Sequence, residues 1–212
     1  RHPAHVAKPA SSIDDLSEGR LILGVASGDR PQEYPAMNIP YENRGEKFRE
    51  SFEYISQVWE DFPMFENEFG SPYGGLDMLP KPVNKKVPML ITGASQQSPT
   101  WLANNGDGWI TYPRGVELQG KIINQIRDNA KISDTQNRPV SQSLYIDLVD
   151  DMNFTPRAIH LGYKLNVKDL LSHLKSLEAV GVNHVALNLR FNQADIEKTL
   201  KILGDEILPE FS

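Results

Sequence analysis

Between Val87 and Tyr112 the chain reads VPMLITGASQQSPTWLANNGDGWITY, and its middle gathers residue types that suit an anion. Gly93 permits close backbone approach, Ser95 and Ser98 offer hydroxyl donors, and a helix is expected to open directly after them. Ser98 is a favourable N-cap, and Pro99 sits at the first helical position, where its missing N–H is not needed. The first turn, Pro99-Thr100-Trp101, holds no carboxylate, so the partial positive charge at that end has no acidic side chain against it. A phosphate suits such a loop. The same residues also read simply as a helix cap at Ser98 and a tight turn at Ser95.

The loop must be positioned by the strands on either side of it, Val87–Thr92 and Gly108–Tyr112, and the rest of the chain repeats that alternation. A helix is expected from His5 to Leu16 through Val6, Ala10, Ile13 and Leu16, with Pro9 kinking its first turn. Arg20–Ala26 reads as a strand buried on both faces, placing Ser27-Gly28-Asp29-Arg30 at its C-terminal end, as a site edge or an ordinary turn. Asn43-Arg44-Gly45-Glu46 has the form of a capping box, which sets Arg44 at the first position of a helix striped by Phe48, Phe52, Ile55 and Trp59. Residues 62–86 form a long Gly- and Pro-rich connection of the kind that often serves as a lid.

Beyond Tyr112 the pattern predicts a helix over Val116–Ala130, a turn at Asn137–Val140, a strand over Ser141–Val149 and an irregular stretch over Phe154–Leu165. A helix capped by Asn166 follows, striped by Leu170, Leu174 and Leu177 and closed by Gly181. Val182–Leu189 is the last strand, and the final helix opens at Asn192 and buries Ile196, Leu200, Leu203 and Ile207. Five strands alternate with helices, which means parallel pairing with right-handed crossovers, in an open doubly wound sheet or a (β/α) barrel. Since a full eight-unit barrel takes about 250 residues, five units are the larger part of one.

Composition narrows the function. With a net charge of −6 over 212 residues and no basic block, nucleic-acid binding is not expected. No apolar run approaches the roughly 20 residues that span a bilayer and no signal peptide opens the chain, so a cytoplasmic location is expected. Zero cysteines exclude disulfides and thiolate chemistry. His2, His5, His160, His173 and His184 lack metal-ligand spacing, so no metal site is expected, and His184 reads as a core or rim residue of its strand. Dinucleotide and Walker glycine patterns are missing as well.

RHPAHVAK, SIDDLSEGRLILGVASGDRP, ENRGEKFRE, PMLITGASQQSPTWLANNGDGWITYPR, HLGYKLN and VNHVALNLRF stand in an order and spacing that resemble the luciferase-like monooxygenase family. The resemblance covers essentially the whole chain and implies one domain over 1–212, the C-terminal portion of a (β/α)8 TIM-type barrel. About five C-terminal βα units would be present, the first three missing, and Arg1 would fall just after the family's third strand.

The resemblance also implies reduced FMN, or in some branches a deazaflavin, bound at the strands' C-terminal ends. Arg44, Ser95 and Ser98 match the family's flavin-phosphate site, Gly93 and Gln97 would add backbone contacts, and Tyr112 would flank the ring or stand as a plain rim aromatic. The implied activity is oxidation of a small organic substrate with reduced FMN and O2, by a homodimer that a flavin reductase could supply. No catalytic residue is assigned, because substrate-polarising residues in several members come from the first strands. A non-catalytic flavin-binding protein and a barrel enzyme acting on a phosphorylated metabolite are the alternatives.

Overall fold

The computed structural model describes residues 2–129 and 138–211, in two compact units, Arg1–Gly108 and Trp109–Ser212. Expectations that rest on Arg1, Ala130 and Asn137 lie outside the described residues.

In the first unit, helix α1 (Ala4–Leu16) packs on α3 (Arg44–Val58), and strand β1 (Leu23–Val25) pairs in parallel with β2 (Met89–Thr92) in the register Leu23↔Met89 to Val25↔Ile91. α1 runs on through Pro9 without ending. Its buried face is Ala7, Ala10, Ser11 and Asp14; of the expected stripe Ala10 is buried and Val6 half-buried, while Ile13 and Leu16 are exposed. Small residues on that face let the two helices approach, and the Trp59 indole donates to the Ala7 carbonyl at 3.2 Å. β1 is shorter than expected and half-exposed, so its apolar run does not mark a strand covered on both faces.

Helix α2 (Glu33–Ala36) is a single turn that buries Tyr34. α3 buries Phe48, Phe52, Ile55 and Trp59 as the spacing predicts. Its capping box does not form. Asn43 has φ −96° and ψ 18°, not the extended conformation of an N-cap, and makes no side-chain cap bond. Helix α4 (Pro99–Asn105) is capped as expected, the Ser98 hydroxyl accepting from Trp101 N at 3.2 Å, and its Trp101 ring meets Phe48 and Phe52 edge-on at 6.0 and 5.4 Å.

In the second unit, β3 (Gly108–Thr111) runs parallel to the first part of β4 (Val140–Leu148). Helix α5 (Val116–Asp128) and helix α6 (Val167–Ala179) cover a core of Leu144, Ile146, Leu170 and Leu177. Gly120 is useful inside α5, because a Cβ there would stand 3.1 Å from Val180 Cβ. The Asn166 cap is in place, accepting from Asp169 N at 2.9 Å, and Gly181 ends α6 at φ 98°.

The stretch expected to be irregular is an antiparallel hairpin, β5 (Arg157–Ile159) and β6 (Gly162–Leu165), which interrupts the βα alternation. β6 joins the far end of β4 in parallel, Tyr145↔Gly162 to Leu148↔Leu165, and β7 (His184–Asn188) pairs with β4 over Ser141–Tyr145. His184 is exposed, not a core residue.

Helix α7 (Ile196–Ile202) starts later than expected. Asp195 caps it, while Asn192 instead accepts from Leu148 N at 2.9 Å and donates to the Thr199 hydroxyl at 3.0 Å. A π-helical turn over Leu203–Ile207 follows; Leu203 and Ile207 are buried as expected, while Ile196 and Leu200 are exposed.

Candidate functional site

The C-terminal end of β2 passes into a strained loop. Gly93, Ser95 and Gln96 all have positive φ, at 61°, 45° and 60°, a region that side chains other than glycine enter at a cost. The Ser95 hydroxyl holds the turn closed by donating to the Thr92 carbonyl at 2.8 Å, and it accepts from Ser27 N at 3.3 Å. The backbone N–H groups of Ser95 and Gln96 meet no acceptor among the described residues. Ser95 is buried and Gln96 exposed, and a loop that leaves two neighbouring amides open is suited to an anion.

Gln97 ties this loop to α3. Its amide donates to the Gly45 carbonyl at 2.7 Å and to Ser95 O at 3.0 Å, while its Oε1 accepts from Arg49 Nε and Nη2 at 3.3 and 3.1 Å. With its amide oxygen and nitrogen both engaged, the side chain acts as a strut. Gly45 makes the approach feasible, since a Cβ added there would stand 2.6 Å from Gln96 Cβ. The residue after Arg44 therefore touches the loop that runs from Ser95 to Ser98.

Arg44 occupies the first position of α3, as the spacing predicts. Its guanidinium lies 3.8 Å over the Tyr41 ring and its Nη1 donates to the Tyr41 carbonyl at 3.1 Å. Nε is enclosed without a partner, and no carboxylate pairs with this cation among the described residues. Tyr41 meets Tyr34 edge-on at 4.9 Å, and the Tyr34 hydroxyl donates to the Ser27 carbonyl, so contacts run from Arg44 through two rings and Ser27 to Ser95. Burial raises the Tyr34 phenol above its ordinary value against the opposing pull of the Arg44 charge, which keeps it a neutral donor.

Arg44, Tyr34, Ser27, Gly28, Phe48 and Phe52 all line a cavity of about 660 Å³ in this unit, to which α3 contributes the polar Arg44, Lys47 and Ser51 as well as its aromatic rings. Ser98 is exposed, and its hydroxyl accepts the Trp101 N–H as a cap, with its own proton left to donate. Tyr112 lies in the other unit, just past β3, about half exposed, and its carbonyl accepts from Arg114 Nη1 at 3.0 Å. Sequence reasoning missed Gly45, Arg49 and Tyr34. A glycine inside the first turn of a helix, where it disfavours the helix, was the available signal for the first. Among the described residues no three acidic or histidine side chains gather as a metal site.

The sequence profile of the luciferase-like monooxygenase family matches residues 1–146. The chain belongs to that family. An F420-dependent hydroxymycolic acid dehydrogenase of Mycobacterium tuberculosis is 29% identical over 119 residues, 54% of this chain and 32% of the relative. An FMNH2-dependent dimethylsulfone monooxygenase of Pseudomonas putida is 27% identical over 122 residues, 56% of this chain and 33% of the relative. The matched part spans less than half of these curated relatives, and 43% of the more similar mycobacterial proteins at 32% identity.

The coenzyme F420 dependent tetrahydromethanopterin reductase of Methanopyrus kandleri superposes with a TM-score of 0.78 at 15% identity, covering 100% of this chain and 80% of that one. The fold is thus that of the luciferase-like (β/α) barrels. Relatives of this family use either FMNH2 or the deazaflavin F420.

Proposed function

We propose that this chain is part of a flavin-dependent oxidoreductase, a monooxygenase in its FMN form, which holds the phosphate of reduced FMN or a deazaflavin with Arg44 and the Gly93–Ser98 loop. Residues 1–212 belong, on this reading, to a single barrel domain. The observation that carries it is Arg44, a cation with an enclosed, unpartnered Nε and no carboxylate among the described residues, whose neighbour Gly45 packs against Gln96 in a loop with two open backbone amides. A dianion satisfies both at once, through charge-assisted hydrogen bonds that are stronger than neutral ones.

Each residue then has a task. Arg44 supplies charge, Ser98 a hydroxyl proton, and Gly93, Ser95 and Gln97 the backbone of the cradle, with the Gln97 side chain bracing that cradle against Gly45 and Arg49. The Phe48 and Phe52 rings in the cavity lining would help to keep water from a bound cofactor. The bound cofactor supplies hydride or activates O2 for attack on a small organic substrate. The working form is a cytoplasmic homodimer supplied with reduced flavin by a reductase.

Titrating the full chain with FMN and with F420, then following oxygen uptake or hydride transfer with small organic substrates, tests this directly. Saturable cofactor binding with turnover is expected. Binding without turnover under any supplied reductant leaves a flavin-binding protein, and no binding of either cofactor removes the reading.

A further inference from the structure

The second unit holds a polar cluster that the flavin site does not use. Thr111 ends β3, Arg114 follows it, and Gln119 lies near the start of α5, wholly buried at 0% exposure. One guanidinium nitrogen of Arg114, Nη1, donates to the Thr111 hydroxyl at 2.6 Å, the Tyr112 carbonyl at 3.0 Å and Gln119 Oε1 at 3.4 Å, and the Thr111 hydroxyl in turn donates to the Tyr112 carbonyl at 3.3 Å. Its other nitrogens meet no acceptor, and no carboxylate reaches the guanidinium, among the described residues.

Two further facts point to a ligand. Gly115 precedes α5 and offers no side-chain cap, so the N–H groups of Val116, Glu117 and Leu118 have no partner among the described residues. Gln119 Nε2 is buried with no partner, and so are both amide atoms of Gln142, which is the register partner of Thr111 and 1% exposed. Unspent donors and an unpaired cation at the first turn of a 13-residue helix favour negative charge. The acid in that turn, Glu117, has an 84% exposed side chain and pairs with Lys121 at 2.6 Å.

We propose that Arg114, Gln119 and the first-turn amides of α5 form an anion subsite for a phosphate or carboxylate group of the substrate, with Thr111 holding the Arg114 guanidinium in place. The substrate role rests on the flavin reading above, whereas the anion site does not. An acidic substrate, anchored at the C-terminal end of β3, is the class implied.

A ¹⁵N-labelled full chain titrated at constant ionic strength with inorganic phosphate, phenyl phosphate and benzoate tests the site. Saturable shifts of the Gly115, Val116 and Glu117 amides and of the Gln119 side-chain amide are expected, with affinity at least tenfold weaker in Arg114→Met. Wild-type shifts confined to Gly45, Ser95 and Gln96, or absent altogether, overturn the subsite without any variant being needed. Inorganic phosphate bound more tightly than both organic anions overturns the substrate assignment.

FMN binding is read on the same sample by flavin fluorescence. No binding of FMN or of F420, followed by the same fluorescence readout, with the α5 shifts intact removes the flavin reading alone; the reverse removes the subsite alone.

Discussion

Gly45 lies against Gln96 so closely that a methyl group on its α-carbon would stand 2.6 Å from Gln96 Cβ and 3.3 Å from the Gln96 carbonyl oxygen. That contact sets the start of α3 against the loop after β2, two segments about fifty positions apart in the chain. Gly45→Ala would gain helix propensity of about 1 kcal/mol. The clash outweighs it, because its partners are a β-carbon and backbone and not a flexible tip, so a net loss of about 1 to 2 kcal/mol in unfolding free energy is expected. Denaturant titration of the variant checks it, and FMN affinity should fall with it.

Gln97 is the second fastening of the same two segments. Gln97→Leu removes its bonds to Gly45, Ser95 and Arg49 and leaves the Gly45 carbonyl and the Arg49 guanidinium without their partner. A cost of about 1 to 2 kcal/mol is expected from the lost bonds to the Gly45 and Ser95 carbonyls, the exposed Arg49 guanidinium turning to water. Faster hydrogen exchange confined to residues 93–98 and the first turn of α3 would mark the loss as local.

In the second unit, Gly162→Ala should be far more severe than either. The added Cβ would fall 1.8 Å from the Tyr145 carbonyl oxygen, so β6 cannot stay paired with β4 in its present register. Destabilisation of about 3 kcal/mol or more is expected, with backbone movement the only relief. A thermal melt that matches wild type would contradict the strand pairing.

His173 gives the fold a pH dependence. Burial lowers its pKa below the ordinary 6.5, and its ring packs edge-on to Tyr163 at 4.9 Å. The unfolded chain then binds more protons than the folded one below that value, so stability is complete above about pH 6.5 and declines as the pH falls through the window down to the folded-state pKa. His173→Gln should flatten that decline. Chemical denaturation at pH 7.5 and 5.0 compares the two slopes.

Much of this architecture was legible in the residues. The aromatic stripe of α3, the Ser98 and Asn166 caps and the Gly181 stop follow from periodicity and capping chemistry that act within a turn or two, and the structure keeps them all. The failures have a common cause in long-range contact. α1 buries Ala7, Ala10, Ser11 and Asp14 because close approach to α3 rewards small residues over the larger Ile13 and Leu16. Asn43 is displaced from cap geometry by the turn at Tyr41–Arg44, and the β5–β6 hairpin forms because β4 offers it a partner.

In the candidate site, Arg44 and the serine loop were visible as types and spacing. The Gly45 approach and the Gln97 strut, which join them, depend on two distant segments meeting, and no local pattern carries that.

The central claim is that Arg44 and the Gly93–Ser98 loop grip a phosphate, and comparing FMN with riboflavin, which lacks that group, tests it most directly. Wild-type protein should bind FMN roughly 10- to 100-fold more tightly than riboflavin, the worth of about 1.5 to 3 kcal/mol in charged hydrogen bonds, and Arg44→Met should bring the two affinities together by weakening FMN alone. Equal affinities in the wild type, or a preference for FMN that survives the loss of Arg44, would contradict the account.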